Sequence, residues 1–171
     1  MKDVYYNDKK INSLIQKELD IFFKDYDGTI YAYLIMNKKN PAQIRIINNS
    51  PAWFDIYTKR NYQFVDPVII RALRSVDDFS WENSIISSGF YNLTRIFNES
   101  LKYDIYQGRT FPLHDYQNNL AVLSIVNHKD SGIDMEKDRS RFTIFFIQLH
   151  QKVLNLYSQS HQKENVFFVT A

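Results

Sequence analysis

A chain of 171 residues suits one domain, and at that length roughly two-thirds of the unfolded surface can be buried, so a packed core is within reach. Hydrophobic residues make up 44% and aromatics 16%, with 13 Phe and 12 Tyr against 4 Gly and 4 Pro, which excludes a disordered or collagen-like chain. The net charge of +2, spread along the chain, is too weak for a nucleic-acid footprint, and the absence of cysteine excludes disulfides and thiolate chemistry.

No apolar signal core follows Met1, and no stretch approaches the about 18 apolar residues that span a bilayer. A cytoplasmic protein with no membrane partner is expected. Ile11, Leu14, Ile15, Leu19, Phe22 and Phe23 recur at helical spacing, with Gly28 as the stop. From Ile30 the period becomes two: Ile30, Ala32, Leu34 and Met36 face one way, Tyr31, Tyr33 and Ile35 the other. A turn at 37–41 leads to a second strand at 43–48, antiparallel to the first. Ser50 with Pro51 predicts a helix cap and a short helix to about Lys59, carrying Trp53 and Tyr57 on one face. Asp66-Pro67 repeats that start signal before Ile69, Ile70 and Leu73. Leu93, Ile96, Phe97, Ser100 and Leu101 mark another amphipathic helix.

Residues 109–114 and 120–127 read as two more strands around a turn at 115–119. From 134 to 157 the pattern is helical, with Phe142, Phe145, Phe146, Leu149, Val153 and Leu156 on one broad face. The β-branched residues of 142–147 also suit a strand, but the length favours a helix. Residues 158–165 are polar and read as a linker, and 166–171 as a short apolar end. Antiparallel strands interleaved with helices predict an α/β fold: an α/β/α sandwich whose central antiparallel sheet is covered by helices on both faces.

Signals for catalysis are weak. His114, His128, His150 and His161 have no metal-site spacing, no phosphate-binding or dinucleotide glycine motif is present, and no serine lies in a nucleophile elbow. Neither a metal nor a cofactor is expected. His114-Asp115 near Ser124 resemble fragments of a triad, yet neighbours on a strand end point apart. Asp77-Asp78 reads as part of a solvated loop. What remains is a set of hydrogen-bonding groups among apolar residues: the Trp53 indole, the Tyr57 hydroxyl, the Asp66 carboxylate and the Ser124 hydroxyl. An amide with two carbonyls matches them. Each also has a structural role open to it, Asp66 as a cap, Trp53 and Trp81 as core, Tyr57 half exposed, and Ser124 bonded to backbone.

In combination these residues resemble the signal-binding domain of LuxR-type quorum-sensing regulators from about Asp20 to Tyr157. Tyr57 follows Trp53 by four residues, Asp66-Pro67 follows Tyr57 by nine, Trp81 follows Asp66 by fifteen, and Gly108-Arg109-Thr110-Phe111-Pro112 has the family's Gly-x-Thr-x-Pro form. The resemblance implies a receptor for an N-acyl-homoserine lactone rather than an enzyme. Trp53 would donate to the lactone carbonyl, Tyr57 would bond the amide carbonyl, Asp66 would accept the amide N–H, Ser124 would reach an acyl-chain carbonyl, and Trp81 would wall the lactone side. Leu34, Met36, Ile46, Phe54, Ile69, Ile70, Leu73, Phe97, Leu101 and Ile105 are expected around the acyl tail, and Pro67, Gly108 and Pro112 to serve backbone geometry.

Asn118 stands where many members have glycine, a form similar to the EsaR, ExpR and YenR subgroup. That likeness implies a receptor stable without its signal, which binds DNA unliganded and is released by the lactone. Residues 1–157 form the expected binding domain and 158–171 a linker toward a helix-turn-helix domain that is absent, through which alone DNA would be bound. The helix bearing Phe142 has apolar residues enough for a homodimer, or all of them belong to the core. A ligand-free dimerisation module and an enzyme acting on acyl-lactones are the competing readings.

Overall fold

The computed structural model describes residues 6–82 and 91–169. Helix α1 (Lys9–Phe23) begins where Asp8 caps it, Oδ1 accepting from Lys10 N at 2.9 Å and Ile11 N at 3.0 Å. Ile11, Ile15, Leu19 and Phe23 recur every four residues and are buried, whereas Leu14 is exposed. The helix stops at Phe23 rather than at Gly28, which with φ +77° turns the chain into β1 (Ile30–Asn37). There follow β2 (Ile44–Asn48), α2 (Pro51–Lys59), a short 3-10 turn (Tyr62–Phe64), α3 (Pro67–Ala72), β3 (Phe79–Glu82), α4 (Tyr91–Leu101), β4 (Gln107–His114), β5 (Asn119–Val126) and the long α5 (Met135–Val169).

The strands form one antiparallel sheet in the order β2-β1-β5-β4-β3, covered by helices on both faces as the alternating pattern predicts. On one face Tyr31, Tyr33, Ile35, Leu123 and Ile125 pack against α1 and α5, where Phe142, Phe146, Leu149 and Val153 are buried. Burying each such side chain contributes about 1.5–3 kcal/mol. On the other face Leu34, Met36, Val122 and Val126 pack against Trp53, Tyr57, Val68, Ile69 and Ile96 of α2, α3 and α4. The period of two in β1 is what assigns its tyrosines to one core and Leu34 to the other.

A buried polar chain fastens α5 to the sheet. His150 Nδ1 lies 2.8 Å from Tyr33 Oη, and its Nε2 lies 2.9 Å from Asp115 Oδ2. Burial pushes the imidazole below its ordinary value, with Asp115 opposing. Burial raises the Asp115 carboxyl, but the bonds from Asn119 and His150 outweigh it and hold the group below the usual carboxylate range.

Several expectations are corrected. Ser50 occupies the cap position of α2 without a side-chain cap bond. Strand β3 is not evident from sequence, since four residues are too few for a period to show. Asp78 is not solvated: its side chain is 6% exposed and clamped between Arg109 and Arg139, with Nε distances of 2.6 and 2.8 Å. Arginine forks from β4 and α5 bury a charge that the local sequence marks as loop. Helix α5 continues through 158–169, its polar part because Gln159, Gln162, Lys163 and Glu164 favour helix even where no apolar stripe is present. The side chain of Leu93 and the apolar end at 166–171 lie outside the described side chains. Asn118 has φ +64° and closes the turn between β4 and β5, so it fills a left-handed position that suits glycine. Pairing of β3 with β4 stops at Thr110, so Pro112 lies beyond it on an open edge where a missing N–H is tolerated.

Candidate functional site

A cavity of about 70 Å³ lies between the sheet and helices α2, α3 and α4. Its floor is Ala32 and Leu34 of β1 with Val122, Ser124 and Val126 of β5. Ile46 and Trp81 come from the two edge strands, Trp53, Phe54, Tyr57, Asp66, Val68 and Ile69 from α2, α3 and its cap, and Ile96, Phe97, Ser100 and Ile105 from α4 and the residues after it. The register explains the floor: Ala32 and Thr110 both pair with Ser124, so small and hydroxylated residues form one row across three strands.

Asp66 combines the two roles open to it. Its Oδ1 accepts from Val68 N at 2.8 Å as the cap of α3, while Oδ2 accepts the Tyr57 hydroxyl proton at 2.7 Å. Burial raises the Asp66 carboxyl above its ordinary value, against the bonds from Tyr57, Val68 and Ile69 that favour the charge. Burial, then the neighbouring carboxylate, pushes the Tyr57 hydroxyl well above its ordinary value. Tyr57 is buried rather than half exposed, because α2 turns that face inward. Trp53, on the same face, has its ring centroid 6.1 Å from Tyr57, 6.0 Å from Tyr62 and 5.7 Å from Tyr103. Among the described residues its indole N–H has no protein acceptor.

Trp81 donates from Nε1 to Thr110 Oγ1 at 3.0 Å, and Thr110 Oγ1 lies 2.8 Å from Ser124 Oγ. Gly108, paired with Trp81 across β3 and β4, is seated directly against that indole. A Cβ there would meet Trp81 Cζ2, approach Cε2 to 2.7 Å and come within 2.9 Å of the Ile125 carbonyl oxygen, so close approach is its role.

Trp53, Tyr57, Asp66, Trp81 and Ser124 thus converge on one cavity, with Leu34, Ile46, Phe54, Ile69, Phe97 and Ile105. Four other candidates do not reach it. Ile70, Leu73 and Leu101 are exposed, Ile70 and Leu101 on the outer side of α3 and α4 and Leu73 at the cap that ends α3, and Met36 is core one step along β1 from Leu34. Sequence reasoning missed Ala32, Val68, Ile96, Ser100, Val122 and Val126. Strand alternation about Ser124 and the four-residue spacing from Ile96 to Ser100 were the available signals. Thr110 was visible only as a motif letter.

The triad fragments do not assemble. His114 Nε2 bonds the Ser75 carbonyl at 2.9 Å, and Ser124 lies four residues along β5 from the partner of His114. Among the described residues, no three metal-ligating side chains are grouped to hold an ion. No helix among them is long and apolar enough to cross a membrane.

Residues 14–153 match the family model of the autoinducer binding domain, and the chain belongs to that family, the signal-binding domains of LuxR-type quorum-sensing regulators. It is 41% identical over 160 residues to the transcriptional activator protein ExpR of Dickeya dadantii, covering 91% of this chain and 64% of that one. Against EsaR of Pantoea stewartii it is 40% identical over 97 residues, 56% of this chain and 39% of that one. The chain therefore spans less than two thirds of these regulators. Among solved structures, Escherichia coli SdiA superposes with a TM-score of 0.64 at 17% identity, covering 91% of this chain and 64% of that one. CepR2 of Burkholderia cenocepacia, described as N-acylhomoserine lactone dependent, gives a TM-score of 0.61 at 15% identity, over 86% and 99%. The fold is shared.

Proposed function

We propose that this domain takes an N-acyl-homoserine lactone into the cavity and thereby controls DNA binding by a regulator of which it forms the cytoplasmic signal-binding part. Residues 1–157 form the binding unit, and 158–171 the connection toward a helix-turn-helix domain. The observation that carries the reading is the Tyr57–Asp66 pair on the wall of a largely apolar cavity. A secondary amide suits that pair because it offers both partners at once. Its carbonyl takes the Tyr57 proton, and its N–H replaces that proton on Asp66, so no buried group is left unpaired. Trp53 donates to the lactone carbonyl, Trp81 walls the ring, and the apolar residues enclose the tail. The names of the relatives, and the lactone dependence of CepR2, support the same reading.

An ester carries no N–H, and leaving the Asp66 charge without its partner costs about 1–3 kcal/mol or more. SdiA has been solved with octanoyl-rac-glycerol, an ester, which makes that compound the natural contrast. The cavity of about 70 Å³ is smaller than the ~150 Å³ that holds benzene, so side chains of the wall move aside for a tail.

The test is a melting series over lactones of graded acyl length, alongside the acylglycerol, with Asp66→Asn. At a hundredfold excess over Kd the lactone adds about 2.7 kcal/mol, or roughly 5–11 °C. Affinity should rise about three- to fourfold per methylene until the cavity is full. In Asp66→Asn the side-chain oxygen still caps Val68, but the amide group faces the ligand N–H as donor against donor, so the fold survives and the response is lost. A full response from that variant removes Asp66 from the site. Intact recovery of the lactone by mass spectrometry separates a receptor from an acyl-lactone enzyme. The Tyr57–Asp66 bond satisfies both groups within the protein, which supports a receptor that folds without signal; aggregation relieved only by lactone contradicts it.

A further inference from the structure

The hydroxyl relay behind Trp81 has a direction set by donor chemistry. An indole N–H only donates, so Thr110 Oγ1 accepts from Trp81 at 3.0 Å and keeps its own proton to give away. Thr110 is fully buried, and among the described residues the acceptor within its reach is Ser124 Oγ, at 2.8 Å. Leaving the proton unpaired in such a place is disfavoured, so it points to Ser124. Ser124 then accepts from behind and has its own proton left. Ser124 lines the cavity, Thr110 does not, and among the described residues no protein group takes that last hydrogen.

We infer that Thr110 is a positioning residue that fixes the Ser124 hydroxyl as a donor facing the cavity, so that the site selects a ligand whose acyl chain carries an acceptor oxygen where it crosses β5. The inference rests on the lactone reading above, in which the amide carbonyl is already taken by Tyr57. A plain methylene chain at that point leaves the Ser124 proton unpaired; a keto oxygen satisfies it. Thr110 acts through Ser124 and does not touch the ligand.

Binding constants for a 3-oxoacyl lactone and its unsubstituted counterpart of equal length, by titration calorimetry, test this in the parent chain, Thr110→Val, Thr110→Ser and Ser124→Ala. The parent should prefer the 3-oxo form about tenfold, the worth of one good hydrogen bond, and Thr110→Ser should keep that ratio. Thr110→Val frees Ser124 to turn its proton toward the backbone, so the ratio falls to within about twofold, as it does in Ser124→Ala. Should Thr110→Val fail to fold, Thr110→Ala removes the same hydroxyl with less bulk. A parental ratio in either apolar Thr110 variant, or equal affinity of the parent for both ligands, overturns the relay alone. No binding of either ligand by the parent overturns the lactone reading with it.

Discussion

Gly108 shows how much of the site depends on a missing atom. Trp81 lies against it because no Cβ intervenes, and only from that seat does the indole reach Thr110. Gly108→Ala should force the ring aside, with an overpacking cost of about 1–3 kcal/mol and loss of the Trp81–Thr110 bond. A lower melting temperature with altered tryptophan fluorescence is the expected result, and parental values for both would show that the seat is not required. The motif letter Gly108 was legible in the sequence, as were Trp53, Tyr57 and Asp66. The partner it serves was not, because Trp81 lies 27 residues upstream on a strand too short to announce itself.

At the scale of elements, α5 carries the largest share of one core and is held by His150 as well as by its phenylalanines. The folded imidazole has its pKa below the ordinary value of 6.5, so the unfolded chain binds the proton more readily. Stability is therefore full above about pH 6.5 and is lost as pH falls from there through the folded pKa. His128, lowered by burial and by Lys129 and Arg109, acts in the same direction. Asp115, lowered from 3.8, adds to the loss only in stronger acid. His150→Gln keeps a donor toward Asp115 and removes one titrating group, so its melting temperature should fall less steeply between about pH 7 and 5. An unchanged slope would assign the titration elsewhere. The apolar period of α5 was readable through Leu156; its run on through 158–165 was not, since a polar stretch shows no stripe and declares its helix only through residue propensity.

For the molecule as a whole, the surface of α5 supplies a test of assembly. Phe142, Phe146, Leu149 and Val153 are spent on the core, while Ile144 and Ile147 remain 57% and 42% exposed. If that strip seats a second copy of the chain, as the apolar residues of the helix allow, Ile144→Glu with Ile147→Glu should lower the sedimentation coefficient from that of a dimer to that of a monomer without changing lactone response. A parent chain that is monomeric at high concentration rules the strip out.

Local patterning was enough to determine the class of fold, because the period of two in the strands and the four-residue stripes in the helices depend only on neighbours along the chain. The spaced tryptophans, Tyr57 and Asp66-Pro67 likewise pointed to one kind of site. Tertiary structure alone decided which apolar residues face the cavity, excluding Ile70, Leu73 and Leu101, and which acid is buried, as with Asp78. Those outcomes turn on the rotation of each helix against the sheet and on partners tens of residues away, and a hydroxyl relay such as Trp81–Thr110–Ser124 exists only once three strands are in register.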